Sequence, residues 1–175
     1  MTVSEAKELF RELTQSYFPD YMVVFANQSR TPKPELPLVT LAPGNLHRPL
    51  AANTDFNRED GMAVGYYLSR LPIVVDLFTN GKPITEDDEV VAYENTALDE
   101  LLGFADYMNS IPGVDWCQRH NVSILLESDA QDITGMVNDS HYEYRARLEV
   151  LFYFTHHAGP VDLGQFETVT IEEES

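Results

Sequence analysis

Hydrophobic and polar residues alternate along the segment from Tyr142 to Phe154. The even positions are apolar or aromatic, whereas the odd positions begin with four charged residues, Glu143, Arg145, Arg147 and Glu149. A period of two gives one apolar face only in a β-strand, so the pattern predicts a strand at about 142–156 with its even side in the core. From Leu151 onward the odd positions also become apolar, which predicts that both sides of this strand are covered there.

Helical periodicity occurs in two other places. Thr2 and Glu5 have the spacing of a capping box, and the apolar residues that follow at helical intervals predict a helix at about 3–17. The segment TALDELLGFADYMN has apolar residues at i, i+3, i+4 and i+7, which predicts a second helix at about 95–110. Leu98, Leu101, Phe10 and Leu13 of these helices are expected to pack on Leu148, Val150 and Phe152 of the final strand.

Segments rich in β-branched and aromatic residues predict further strands at about 21–27, 37–42, 64–79 and 122–128. Pro72 interrupts the third of these and indicates an edge position, a bulge or two shorter strands. Two polar segments, 45–61 and 81–95, are expected to be an exposed excursion and an acidic loop.

The predicted order is therefore α-β-β-β-α-β-β. This order favours an α+β fold, a mixed and mainly antiparallel sheet of about five strands with two helices packed on one face. Residues 1–158 are expected to form this single domain, and residues 159–175 an acidic C-terminal tail.

The composition of the chain argues against some classes of function. A chain of 175 residues with 43% hydrophobic content can bury its own core. Its formal charge of -18, from 29 acidic and 11 basic residues, argues against binding nucleic acid through phosphate contacts. The polar N-terminal segment does not have a signal-peptide pattern, and no apolar run approaches the roughly 20 residues of a membrane span, so we expect a soluble, intracellular protein without membrane contact. A single cysteine, Cys117, excludes an internal disulfide.

The chain offers few groups for catalysis or metal binding. Cys117 and His120 could form a nucleophile pair or half a zinc site, but no second cysteine completes the site. NTDFNREDG has the alternate oxygen ligands of a calcium loop but lacks its glycine and its final glutamate, and EDDE at 86–89 is typical of a solvated loop. We therefore expect no catalytic residue, no cofactor and no metal.

Several segments together resemble the neck or tail terminator proteins of tailed bacteriophages. They are the first helix, ANQ at 26–28, PLVTL at 37–41, TALDELL at 96–102 and the final strand YEYRARLEVLFYF at 142–154. The resemblance runs from about residue 5 to residue 157. The segments 45–61 and 81–95 and the tail after residue 159 depart from the family pattern.

The resemblance implies a structural virion protein without catalytic residues. Such proteins form a ring, usually of six copies, at the head–tail junction, where the ring caps the tail tube and joins it to the neck or connector. The implied partners are other copies of the chain, the tail tube protein and a neck, connector or head-completion protein. Genomic DNA passes through the lumen without specific binding, and an acidic ring discourages its adhesion. The implied location is the neck of the virion, with assembly in the host cytoplasm.

Three other functions compete with this interpretation. A head-completion or adaptor ring protein of the same neck region stays open on sequence grounds. An acidic DNA-mimicking inhibitor is disfavoured, because its carboxylates should form one continuous face, whereas here they lie mainly in two loops, the first helix and the tail. A small enzyme is the third alternative, disfavoured by the absence of recognisable catalytic motifs.

The odd face of the final strand is the candidate subunit interface. Both helices are needed to cover the even face, so we expect Leu151 and Tyr153 at the centre of a contact with another subunit and Arg145 and Arg147 at its polar side. Alternatively, a local loop covers the two apolar residues while the arginines pair with glutamates on their own strand, Glu143 and Glu149. We also expect 45–61 or 81–95 to be an arm that reaches a neighbouring subunit.

Overall fold

A computed structural model of the chain describes residues 1–26, 35–51, 53–56, 62–138 and 141–162. Within these ranges the helices are α1 (Val3–Tyr17), α2 (Ala97–Asn109) and α3 (Ile111–His120). The strands are β1 (Met22–Phe25), β2 (Leu38–Pro43), β3 (Asn53–Phe56), β4 (Met62–Thr79), β5 (Lys82–Glu86), β6 (Glu89–Glu94), β7 (Val122–Leu126), β8 (Gln131–Asp132), β9 (Gly135–Asn138) and β10 (His141–Asp162).

The main sheet has the strand order β1-β2-β4-β10-β7. In addition, β3 pairs with β4, and the short strands β8 and β9 pair with β10. Only the β1–β2 pairing is parallel among the strand pairs of the described chain; the others are antiparallel. Strands β5 and β6 form a separate two-stranded sheet. The predicted α+β fold with a mixed, mainly antiparallel sheet is confirmed.

The core lies between one face of the main sheet and the helices. Phe152 on β10 and Phe10 on α1 are both fully buried, with their rings edge to face and their centroids 5.6 Å apart. Leu148, Val150, Leu101 and Leu13 belong to the same buried cluster, as expected from the alternation on β10. Leu98 does not: it is only half-buried, because the buried stripe of α2 runs through Ala97, Leu101, Phe104, Ala105 and Met108.

The first helix begins as the sequence predicts. The Thr2 hydroxyl accepts a hydrogen bond from the Glu5 backbone N–H at 3.2 Å, and the Glu5 carboxylate accepts one from the Thr2 N–H at 2.7 Å. This reciprocal capping box satisfies two N–H groups that would otherwise lack partners at the helix start.

The predicted order contains two helices, whereas the structure has a third, α3, directly after α2. Ser110 is extended, Pro112 lies in the first turn of α3, and Asn121 ends α3 in the left-handed conformation with φ 53°. Proline is compatible with a first turn because the N–H it lacks has no helical partner there. Gly113 permits the close junction with α2, since a Cβ at this position would lie 2.3 Å from the Tyr107 carbonyl oxygen.

The interpretation of Pro72 is also wrong. Strand β4 is one continuous strand in the middle of the sheet, and its pairing with β10 has no register shift at Pro72. The Pro72 carbonyl accepts a hydrogen bond from the Gly44 N–H at 2.8 Å, so the side of Pro72 that lacks an N–H faces the chain just beyond the end of β2. No ladder bond to β10 is lost at this position.

The acidic segment 81–95 is not a loop but contains the β5–β6 hairpin. In the excursion 45–61, residues 53–56 form β3, while residues 52 and 57–61 lie outside the described residues. The end of ANQ and the start of the proline-rich link, residues 27–34, also lie outside them. Strand β10 continues to Asp162, so the expected domain boundary at 158/159 falls within it; residues 163–175 of the acidic tail are outside the described residues.

Candidate subunit interface

The odd-numbered residues of β10 lie on the face of the main sheet opposite the helical core. The strand register places Pro72 and Leu125 beside Leu151, and Arg70 and Ser123 beside Tyr153. Because side chains alternate across a strand, these neighbours share the face of Leu151 and Tyr153. We term this surface, built by β4, β10 and β7, the open face.

The apolar part of the open face is centred on β10 but extends beyond it. Leu151 is buried within the single chain and Tyr153 is half-buried, whereas Leu68 and Leu125 on the flanking strands are 60% and 55% exposed. Leu151 therefore lies beneath this surface, whereas Leu68, Leu125 and Tyr153 form the exposed apolar area that a partner could cover.

The polar part of the open face is an ion-pair cluster around Asp76, a residue that the sequence interpretation did not include. Arg147 donates to the two carboxylate oxygens of Asp76 from Nε at 2.8 Å and from Nη2 at 3.1 Å, and Arg145 donates from Nη2 at 2.7 Å. The two arginines are thus brought together as expected, but by a carboxylate on β4. The sequence does contain a signal: Asp76 is the only acid in the apolar run PIVVDLFT, and it alternates with the core residues Val75 and Leu77.

The cluster is electrostatically favourable: the charges of Arg145, Arg147 and Asp76 sum to one positive unit, and Glu149 on the same face also attracts Arg147. Burial is the largest single effect and raises the pKa of the Asp76 carboxyl, but the hydrogen bonds from Arg147 and Arg145 and the attraction of their charges together lower it by more, so the net shift is downward. The guanidinium of Arg145 lies 4.8 Å from the ring centroid of Phe78, a cation–π distance. The side chains of Arg145 and Arg147 remain 31% and 38% exposed, so both can still reach an external anion.

Residues 82–94 form a hairpin that we term the arm. Every residue of the arm is exposed, and its two strands pair only with each other among the described strands. The turn at its tip has positive φ at both central residues, 48° at Asp87 and 65° at Asp88, as in a type I′ hairpin turn. Its large exposed apolar residues are Ile84, Val90, Val91 and Tyr93.

The base of the arm is held firmly against the main sheet. The Tyr144 hydroxyl donates to the Tyr93 carbonyl at 3.0 Å. Gly81 has φ 75°, and a Cβ there would lie 2.4 Å from the Glu94 carbonyl oxygen, so this position requires glycine. The Asn95 amide donates to Thr134 and Asp132 at 3.0 and 3.1 Å. These contacts fix where the arm leaves the domain.

Those described residues that the sequence suggested for catalysis or metal binding lie outside the three strands of the open face. Cys117 lies half-buried on α3, and burial raises the pKa of its thiol, which disfavours the reactive thiolate. His120 stacks on Trp116 with ring centroids 4.3 Å apart, and its Nδ1 lies 2.8 Å from the Trp116 carbonyl oxygen. EDDE forms the tip of the arm. In the calcium-like segment Asn53 lies in β3, while Asn57 and Glu59 are outside the described residues.

The described residues contain no group of three or more histidine, cysteine or acidic residues arranged to hold a metal ion. Helices long and apolar enough to cross a membrane are likewise not found in the described residues.

A sheet with one accessible face and a protruding hairpin is typical of a subunit of a larger assembly. The profile of the phage neck terminator protein family matches residues 7–175, and the chain belongs to that family. The family is one of structural phage proteins that terminate the tail, and not of enzymes. The resemblance inferred from the sequence is confirmed.

No curated protein matches the sequence. Among solved structures, the chain is similar to the PVC sheath/tube terminator of an extracellular contractile injection system in its extended state, with 12% sequence identity and a TM-score of 0.47. The match covers 100% of this chain and 65% of that one, so this chain spans less than two thirds of that protein's length.

Proposed function

We propose that this protein forms a homo-oligomeric ring of six copies at the head–tail junction of a phage. The ring caps the completed tail tube, joins it to the neck or connector, and leaves a lumen through which genomic DNA passes. Its partners are the tail tube protein on one side and a neck, connector or head-completion protein on the other. Assembly takes place in the host cytoplasm, before or during joining of head and tail.

The observation that carries this proposal is that the chain presents two different surfaces suited to association, the arm and the open face. Closure of a ring by head-to-tail contacts needs two such surfaces, because each subunit must bury one patch against a different patch on its neighbour. Membership of the neck terminator family supports placing this ring at the end of the tail.

The subunit contact in this proposal includes all four residues inferred from the sequence. Leu151 and Tyr153 form its apolar centre, extended by Leu125, and Arg145 and Arg147 form its polar side. The negative charge of the chain, -18 per copy, would give the lumen a negative potential. Such a potential repels DNA phosphates and favours passage over adhesion.

Electron microscopy of virions lacking this protein tests the proposal. Loss of a terminator leaves tails of abnormal length, or tails that are not joined to DNA-filled heads. Heads that leak their DNA beside tails of normal length would instead indicate a head-completion protein. Complementation with the wild-type chain should restore joined particles and serves as the control.

A further inference from the structure

We propose that the arm of one subunit docks on the open face of the next subunit, with its acidic turn against Arg145 and Arg147. This inference rests on the proposed ring, since it names the two surfaces that meet at each subunit boundary. The occupant of the open face is thus a second copy of this chain.

The arm needs a surface to pack on. Its four large apolar side chains, Ile84, Val90, Val91 and Tyr93, are between 43% and 53% exposed. An isolated two-stranded hairpin is at best marginally stable in water, and exposed apolar side chains on such an element favour association. The arm does not rest on its own open face, because every one of its residues is exposed.

The distribution of charge on the chain favours one position for the acidic turn on a second copy. Four consecutive carboxylates, Glu86 to Glu89, form the tip of the arm in a chain that has only 11 lysines and arginines. Most of the surface of a second copy would therefore repel the tip. The open face carries three of those basic residues, Arg70, Arg145 and Arg147, beside three acids, Asp76, Glu143 and Glu149, so it is close to neutral in a chain whose formal charge is -18.

The arginine pair is also suited to this contact by its geometry. Asp76 holds both guanidinium groups in fixed positions while about a third of each side chain stays exposed. Arginine can bind a carboxylate at two points, and a preplaced side chain loses less entropy when it does so. Glu143 and Glu149, the neighbouring residues on the same face, confine the positive region to Arg145 and Arg147.

The dimensions of the two surfaces agree. At about 3.3 Å per residue, the four steps along the strand from Arg147 to Leu151 span roughly 13 Å, and each five- or six-residue strand of the arm spans roughly 16 to 20 Å. The strand register pairs Val90 with Thr85 and Tyr93 with Pro83, so Val90 and Tyr93 share one face of the arm. With the acidic turn at Arg147, these two apolar residues can therefore lie over the apolar region formed by Leu125, Leu151 and Tyr153.

Two variants, each defective in one surface, test the contact. The arm variant Glu86→Arg/Glu89→Arg reverses charges on exposed positions and leaves the two left-handed residues Asp87 and Asp88 in place. The face variant Leu125→Glu places a charge at an exposed position of the apolar region. A control variant, Glu12→Arg/Asp106→Arg, makes the same charge change as the arm variant at exposed positions of α1 and α2. Thermal unfolding should show that all three remain folded.

We expect each defective variant alone to associate more than about a hundredfold more weakly than the wild type, because the arm variant loses the net negative charge of its turn and the face variant buries an unpaired charge at the contact. When the two variants are mixed, they should form heterodimers but no larger oligomer. The arm variant keeps a native open face and the face variant keeps a native arm, so one native contact can form. Native mass spectrometry would detect this dimer, and the control variant should assemble as the wild type does.

The inference would be overturned if either defective variant alone formed rings, or if the mixture of the two variants stayed monomeric. Neither result would contradict the proposed ring itself. If the wild type assembles only on tail tubes, the comparison is made by sedimentation with purified tubes. In that case retention of the arm variant at the wild-type level would overturn the inference. A wild-type chain that stays monomeric both in solution and on tubes would contradict the proposed function itself.

Discussion

Arg147 on β10 donates two hydrogen bonds, at 2.8 and 3.1 Å, to the carboxylate of Asp76 on the neighbouring strand β4. Arg145 donates to the same carboxylate at 2.7 Å. One acid in the middle of the sheet thus fixes two cations on the face that the helices leave accessible. This arrangement keeps positive charge in place on a chain whose formal charge is -18.

Asp76→Asn should destabilise the fold by about 1–2 kcal/mol near pH 7. The cost is smaller than for a fully buried ion pair, because both arginines are partly exposed. The pKa of Asp76 in the folded protein lies below its ordinary value of 3.8, so the carboxylate stabilises the fold above that pH. This stabilisation is lost as the pH falls through the folded pKa.

Urea unfolding of wild type and Asp76→Asn at several pH values measures this effect. The stability difference between the two proteins should be constant from pH 7 to about pH 5 and should shrink as the pH falls below the ordinary pKa of aspartate. A difference that persists at the lowest pH at which both proteins remain folded would show that the ion pairs are not its cause.

Phe152→Ala should destabilise the fold by roughly 3–5 kcal/mol. The ring is fully buried against Phe10, and its removal leaves a cavity that the surrounding helices and sheet can only partly fill. Denaturant unfolding of the variant measures the loss. Leu125→Ala, at an exposed position on the opposite face, is the matched control and should change stability by less than about 1 kcal/mol. A Phe152→Ala variant that melts within a degree or two of the wild type would contradict the assignment of the core face.

Deleting Lys82 to Tyr93 and closing the gap with a short Gly–Ser link should leave the monomer folded and impair assembly. The fold should survive because the arm is exposed along its whole length and pairs only with itself among the described strands. Its two ends are neighbours, with Lys82 paired to Glu94, so a short link can close the chain. Circular dichroism would check the fold, and virion assembly would check the function. Normal assembly with this deletion would show that the arm is dispensable.

The sequence predicts the parts of this fold in which one periodic pattern extends over many residues. The alternation from Tyr142 to Phe154 identifies β10 and its core face, and the capping box of Thr2 and Glu5 identifies the start of α1. Segment 81–95 was expected to be an acidic loop and a possible arm, but its β-hairpin was not predicted, because its turn is Asp-Asp rather than the more usual Asn-Gly and its acidic residues are typical of a loop.

Other features could not be predicted because they depend on contacts between distant segments. Helix α3 was missed since Pro112 and Gly113 usually end a helix, whereas here Pro112 lies in a first turn and Gly113 packs against the end of α2. The pairing of Arg147 with Asp76 depends on the register between β4 and β10, two strands separated by 71 positions in the sequence at this contact. Periodicity gives the face of each residue but not its cross-strand neighbour.

Tyr153→Asp should leave the isolated subunit folded and abolish ring formation and tail joining. Tyr153 is half-buried on the open face, so a carboxylate there is tolerated in the monomer but is costly in an apolar subunit contact. Tyr153→Phe keeps the apolar ring and should assemble normally. Size-exclusion chromatography and complementation of defective virions would measure the two effects. An unfolded Tyr153→Asp monomer, or an undisturbed ring, would contradict the assignment of this residue to the interface.

The mass of the purified protein, measured alone and in the presence of tail tubes, tests the central claim most directly. The proposed ring predicts a species of about six times the 19.8 kDa of one chain, either free in solution or bound at one end of each tube. A particle that remains at the mass of a single chain under both conditions would contradict the account.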